Sequence, residues 1–324
     1  MPVASIEKDL DALTMTIVAD FTVPVSRLWN AYADPRQIEK FWGPPEYPAT
    51  FTRHDVAVGG RSDYFMTGPD GSSHGGYWEF LDVVEGESFT VRDGFSNDDG
   101  TQNTDMPSME MAFTFEEAPQ GSRLVTVTSF GSLEQLEQLI AMGMEEGTRE
   151  AMGQIDDVLA DLASFAVGRS AEAQVLSDTK VRVSRVIRGS VEQVWRAHHD
   201  ADLMKRWLLG PDGWVMVTCD LADSVGDTFT QEWERAGGGD RFGFTGELLE
   251  SAPPHREVTT ESMIGMEGDP STNELTLTAV DGGTLLALVI TYPSSEVRDI
   301  VLGTGMVDGM ESSYARLESE LVAV

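Results

Sequence analysis

Cysteine is almost missing from this chain. Cys219 is the only one in 324 residues, which excludes an internal disulfide and a thiolate metal cluster. Lysine is scarce too: Lys8, Lys40, Lys180 and Lys205 are the full set. With 22 Lys+Arg against 55 Asp+Glu the formal net charge is −33. Such a surface repels phosphate backbones and anionic lipid, so neither a nucleic-acid nor a membrane partner is expected. Solubility in a salty cytoplasm or an acidic proteome explains the acidity most simply, and a cationic ligand or basic partner surface is the other explanation. Long apolar runs are also missing. The stretch Leu285-Leu286-Ala287-Leu288-Val289-Ile290 is among the longest, far short of a bilayer span. Met1 to Leu13 is acidic, without the basic start and apolar core of a secretory leader, so a cytoplasmic protein is expected. No Gly-Lys-Ser/Thr phosphate loop occurs, and the Gly237 to Gly243 run lacks a strand–turn–helix context; no cofactor is implied.

What is present is a long internal echo. Leu28-Trp29-Asn30-Ala31 followed by Phe41-Trp42-Gly43-Pro44 returns as Val194-Trp195-Arg196-Ala197 followed by Trp207-Leu208-Leu209-Gly210-Pro211, 166 positions later at both tryptophan steps. Val58-Gly59-Gly60 echoes in Val225-Gly226-Asp227, Gly76 in Gly246, and Met144-Glu145-Glu146-Gly147 in Met306-Val307-Asp308-Gly309. The period is far too long for a solenoid. It reads as a duplicated domain, and the length fits two. The expected division is an N-terminal extension 1–13, a first domain 14–162, a linker 163–178 and a second domain 179–324.

Each copy opens with an alternating strand, Thr14 to Phe21 or Lys180 to Ile187. Ser26 and Ser190 are candidate N-caps of a short helix, and two short helices carry the tryptophans. Strands broken by turn clusters follow, among them Gly68-Pro69-Asp70-Gly71, Asn97-Asp98-Asp99-Gly100 and Asp281-Gly282-Gly283. A final helix is expected from Met144, Thr148, Ala151, Ile155, Val158 and Leu162, and from Met306, Met310, Tyr314, Leu317 and Leu321, at three-or-four spacing. The fold class is α+β: two tandem domains, each a curved antiparallel sheet around a long C-terminal helix.

The Phe41-Trp42-Gly43-Pro44 motif, the following Val-Gly-Gly, Gly76 at a later strand and the terminal helix with Met144 to Gly147 resemble the bacterial activator-of-heat-shock-protein-90-ATPase homologue type. That type lies within the START-like (SRPBCC, polyketide-cyclase/dehydrase) helix-grip superfamily, and the resemblance covers about residues 14–162 and 179–322. Copy two departs from it, with Leu208 for Trp42, an added Leu209 and Asp227 for Gly60.

The resemblance implies a mostly apolar cavity gripped by the long helix. Its expected lining is Trp42, Tyr64, Met66, Trp78, Met111, Phe113 and Met144 in copy one. In copy two it is Trp207, Trp233, Phe244, Leu248, Met306 and Met310. Aromatics and methionines at such spacings also make plain core. Of the five histidines none recurs in both copies; His54, on an expected strand beside Asp55, and Tyr64 are the catalytic candidates. His198-His199-Asp200 falls at a helix end and reads as exposed surface rather than a metal site; no metal is expected. Gly71-Ser72-Ser73-His74-Gly75 matches a nucleophile elbow in letters only, since a strand and not a helix follows. Cys219 reads as a buried, inert thiol.

The leading expectation is binding of a small hydrophobic molecule, without catalysis, in one or both cavities. The alternatives are a cyclase-, dehydrase- or hydrolase-like enzyme acting on a hydrophobic natural product, and a co-chaperone-like interaction protein. Self-association or pairing of the two domains stays open.

Overall fold

A computed structural model describes residues 2–97, 100–161 and 164–322. Asp98, Asp99, Leu162 and Ala163, used in the sequence reading, lie outside that set. The chain divides into two compact units, Met1–Ser164 and Phe165–Val324.

The first unit has strands β1 (Val3–Asp9), β2 (Thr14–Phe21), β3 (Ala49–His54), β4 (Arg61–Thr67), β5 (Ser73–Val84), β6 (Ser88–Ser96), β7 (Met109–Ala118) and β8 (Gly121–Ser129). They form one sheet in the order β1-β2-β8-β7-β6-β5-β4-β3, antiparallel throughout. Helices α1 (Val25–Ala33) and α2 (Pro35–Ile38) lie between β2 and β3, and α3 (Leu133–Ala141), α4 (Met144–Gly153) and α5 (Ile155–Ala160) follow the sheet. Alternation produces the core. Met15, Ile17 and Ala19 on β2 and Phe113 and Phe115 on β7 are buried, and Leu28, Trp29 and Tyr32 of α1 are buried with them.

The second unit repeats the plan. Its strands are β9 (Glu172–Val175), β10 (Lys180–Ile187), β11 (Trp214–Asp220), β12 (Thr228–Arg235), β13 (Arg241–Ala252), β14 (Arg256–Met263), β15 (Ser271–Val280) and β16 (Gly283–Thr291). Their order, β11-β12-β13-β14-β15-β16-β10-β9, is that of the first sheet read from its other edge. Helices α6 (Val191–His199), α7 (Ala201–Trp207), α8 (Ser295–Gly303) and α9 (Met306–Val322) complete it. No helix among the described residues is long and apolar enough to cross a membrane.

Four features differ from the sequence reading. The expected N-terminal extension is strand β1, paired with β2, and the expected linker contains β9, paired with β10. Both short strands are sheet edges, where polar residues hide the apolar alternation that marks an inner strand. Helix α1 begins at Val25 with Pro24 at the cap, so Ser26 is inside the helix; Ser190 does cap α6, in a reciprocal capping box with Gln193. A further helix precedes the final one in each unit, capped by Ser132 in α3 and by Ser294 in α8.

The final helix is continuous only in the second unit. In the first it breaks at Gln154, between α4 and α5. Gly153 is a weak helix former there, and the Gln154 side chain turns to donate from Nε2 to the Gly43 carbonyl at 2.8 Å. In the second unit Arg316 reaches the Gly210 carbonyl at 3.5 Å from within unbroken α9. Each terminal helix is thus tied to the glycine of its Gly-Pro loop. Unbroken α9 is also tied to the sheet by an ion cluster. Arg185 on β10, 4 % exposed in its side chain, meets Glu311 at 3.1 Å and Glu318 at 2.8 Å. The matching β2 residue, Ala19, makes no such anchor.

Candidate functional site

The inner face of β6 reads Phe89, Val91, Asp93. Cross-strand pairing to Phe113 and Met111 of β7 puts the first two in the core, so the same two-residue period carries Asp93 inward. Asp93 is 8 % exposed. Its Oδ1 accepts the Trp78 indole N–H at 2.9 Å and the Tyr64 hydroxyl at 3.3 Å. Burial pushes its pKa up to about 7, and the two donors pull back only part of that rise. Tyr64 is raised well above the ordinary phenol range, by burial first and by the Asp93 charge second.

Gly76 makes this reach possible. Tyr64 on β4 pairs with Gly76 on β5, and a Cβ at Gly76 would stand 2.5 Å from the tyrosine ring. The bare backbone lets the phenol lie across β5 toward β6. Trp42 completes the group. Trp42, Tyr64 and Trp78 stand nearly perpendicular to one another, with interplanar angles of 86°, 84° and 76° and centroids 4.5–6.5 Å apart. Phe51 stacks on Tyr64 at 5.0 Å, and Phe113 lies 5.7 Å from Trp78. Trp42 and Tyr64 are half-buried. The Trp42 N–H makes no hydrogen bond of good geometry, although it is close enough to ease Tyr64 ionisation slightly.

His54 is buried and bonded at both ring nitrogens. Its Nε2 faces the Tyr32 carbonyl at 2.9 Å and so carries the proton; Nδ1 then accepts from Ser62 Oγ at 2.8 Å. Met111 is buried near the group, whereas Met66 and Met144 are half-buried. Sequence reasoning missed Asp93. The signal was one acidic residue breaking the apolar alternation of Phe89 and Val91.

Ladder pairing fixes the equivalent positions in the second unit. Gly59 N–H bonds the Phe80 carbonyl, and Gly226 N–H bonds the Leu248 carbonyl. Phe80 therefore corresponds to Leu248, Trp78 to Gly246, and Gly76 to Phe244, which corrects the expected match of Gly76 with Gly246. Ser62 pairs with Trp78, and Phe229 pairs with Gly246. The large residue has moved to the neighbouring strand, and the Phe229 ring would stand 2.7 Å from a Cβ at Gly246. Continuing the β13–β14 ladder beyond Thr245–Ser262 brings Glu261 to the place of Asp93. Glu261 is half-buried, and burial raises its pKa against a weaker opposing effect of Asn273. Its charge, after burial, contributes to raising Tyr292 to about 12. An acid is therefore duplicated, as Asp in one copy and Glu in the other.

The remaining candidates of the second unit lie in its packed interior. Trp207 donates to the Ala197 carbonyl at 2.9 Å and Trp233 to the Leu208 carbonyl at 2.7 Å. Phe244 packs edge-on to Trp233 at 6.0 Å, and Leu248 is buried. Met306 and Met310 pack on the cluster of Val181, Val183, Ile290 and Tyr292.

His198 and His199 are not the exposed pair expected of a helix end. His198 Nδ1 donates to the Val194 carbonyl at 2.8 Å, and burial lowers its pKa. His199 stacks on Trp195 at 3.9 Å, donates from Nδ1 to the Trp195 carbonyl and places Nε2 2.9 Å from Glu257. Burial opposes its charge, but Glu257 outweighs burial and the pKa rises. Among the described residues no three His, Cys, Asp or Glu side chains group so as to hold a metal ion. Cys219 is buried against Met204 with its pKa raised by burial, and Gly71-Ser72-Ser73-His74-Gly75 spans the exposed β4–β5 hairpin.

Among solved structures, a Mycobacterium smegmatis protein is 49% identical over 49% of this chain and 97% of its own, with a TM-score of 0.46. An Arthrobacter aurescens protein is 40% identical over 50% of this chain and 94% of its own, TM-score 0.47. A Rhodobacter sphaeroides protein is 30% identical over 48% and 100%, TM-score 0.46. Comparison with curated proteins returns no match. One family model matches twice, over residues 22–160 and again over 188–322, and by that double match the chain belongs to the family described as Activator of Hsp90 ATPase homolog 1-like protein.

Proposed function

We propose that this protein binds a small, largely apolar molecule in its helix-grip modules, without transforming it, and that the first module holds the better-formed site. One observation carries the reading. Asp93 is buried beside Tyr64 and Trp78, in an aromatic group completed by Trp42 and Phe51, and the described residues engage one of its carboxylate oxygens, Oδ1. Apolar walls with one placed polar group are the general form of a small-molecule site. Native mass spectrometry of gently purified full chain, followed by denaturing extraction, tests it. A released small molecule at one or two equivalents supports the reading; an empty protein that also ignores a lipophilic library sinks it.

A second reading is acid–base catalysis on such a molecule. It is favoured by a carboxyl that titrates near neutrality beside a phenol, the pairing a proton-transfer step needs. It requires turnover of a bound compound that is lost in Asp93→Asn and retained in Glu261→Gln.

A further inference from the structure

Asp93 has hydrogen-bond acceptor capacity to spare. Both donors that reach it, Trp78 Nε1 and Tyr64 OH, converge on Oδ1. No arginine, lysine or histidine pairs with it among the described residues, and Oδ2 accepts no hydrogen bond from them. A carboxylate so deeply buried is costly unless a cation or further donor completes it. The surroundings favour a cation. Trp42, Tyr64 and Trp78 are three aromatic rings set nearly at right angles, and ring quadrupoles attract positive charge. The net charge of −33 also concentrates cations around the protein.

We propose that the first module selects amines: its ligand is a small, largely apolar molecule carrying a protonated amine, whose N–H groups bond Asp93 Oδ2 while the charge lies against Trp42, Tyr64 and Trp78. This rests on the reading that the module binds a small molecule, and names the polar group it selects. The apolar remainder of the ligand packs on Phe51, Phe113 and Met111. The second module does not share the preference. Gly246 and Gln231 stand in place of Trp78 and Tyr64, so Glu261 lacks both the indole donor and the ring corner.

The test compares three neutral-to-cationic isosteres on the full chain by isothermal titration calorimetry at about pH 8, where Asp93 is mostly ionised. The probes are phenethylamine, phenethyl alcohol and phenylacetone. The expected result is an amine bound about tenfold more tightly than the alcohol or more. Asp93→Asn should abolish that ratio while alcohol binding persists, and Glu261→Gln should leave it intact. Equal affinity for amine and alcohol in the natural chain overturns the amine inference and leaves small-molecule binding standing. Tightest binding of the ketone overturns it in favour of a protonated Asp93 that donates. Binding of none of the three removes both readings for ligands of this size. If Asp93→Asn fails to fold by circular dichroism, Trp42→Leu takes its place: the amine-to-alcohol ratio should fall, and an unchanged ratio overturns the proposal.

Discussion

In the first module Trp78 rises from β5 beside the small Ser62 of β4; in the second, Phe229 rises from β12 beside the bare Gly246 of β13. The inner volume is filled in both, but from adjacent strands. The consequence is chemical. Trp78 brings an indole N–H to the acid next to it, whereas Phe229 brings only a ring edge, so Asp93 is held by two donors and Glu261 by neither of their counterparts. The modules differ equally in their anchors. Unit two ties its long helix to the sheet through Arg185, Glu311 and Glu318, while unit one places Ala19 there and breaks the helix at Gln154. Duplication preserved the frame, and exchange of bulk across one strand pair was enough to make two different interiors.

The largest effect that separates the modules is expected at Arg185. Arg185→Leu leaves Glu311 and Glu318 facing a low-dielectric interface without their cation and should cost about 3 to 4 kcal/mol. Hydrogen-exchange mass spectrometry should show lost protection in α9 and β10 and none in unit one; loss below about 1 kcal/mol would mean the cluster is solvated.

Next comes Asp93. Its folded pKa of about 7 lies above the ordinary 3.8, so the folded state holds the extra proton between those values and stability falls as pH rises through them. Asp93→Asn should therefore stabilise unit one by roughly 2 to 3 kcal/mol at about pH 8, with the gain vanishing near pH 4. Glu261→Gln should act in the same direction in unit two. Denaturant unfolding at the two pH values decides it, and a destabilised Asp93→Asn at high pH would show that the ionised form is the one the fold prefers.

A smaller effect is expected at Gly76. Gly76→Ala drives a methyl into the Tyr64 ring and should cost about 1.5 kcal/mol. Combined with Tyr64→Ala the two changes should be strongly non-additive, because Tyr64→Ala removes the ring that the new methyl meets. Simple additivity would mean that the ring does not lie over the glycine.

The smallest is the His199–Glu257 pair. His199 has a raised folded pKa, so its contribution is complete below about 6.5 and is lost as pH rises through the folded value. In Glu257→Gln unit two should lose about 1 kcal/mol at about pH 5.5 and nearly nothing at about pH 8.5. Titration of His199 by NMR should show its pKa falling in the variant.

Much of the frame was legible. Strong alternation in Thr14 to Phe21 and Lys180 to Ile187, the echoed tryptophans and the glycine turns suffice for two α+β modules, because periodicity survives in strands buried on one face. Edge strands β1 and β9 were not legible, since β9 is only four residues long and Ser5, Glu7, Lys8 and Asp9 in β1 leave no sustained apolar alternation. The site was half legible. Trp42, Tyr64 and Trp78 were named as lining, and they do meet. Asp93 was not named, although its place in the Phe89, Val91, Asp93 alternation was open to reading. The equivalence of Glu261 was beyond reach, because unequal loops shift the offset between the copies from 166 at Trp29 and Trp195 to 168 at Asp93 and Glu261.

The amino-acid sequence by itself determined the duplication, the fold class and the heavy negative charge, all of which follow from local periodicity, spacing and composition. Only the tertiary structure decided which strand supplies bulk to each interior, where a buried carboxyl keeps one oxygen that no described residue bonds, and whether a final helix runs unbroken. Those depend on side chains far apart in the chain that meet only when the strands are in register, where a one-residue bulge changes which groups share a face.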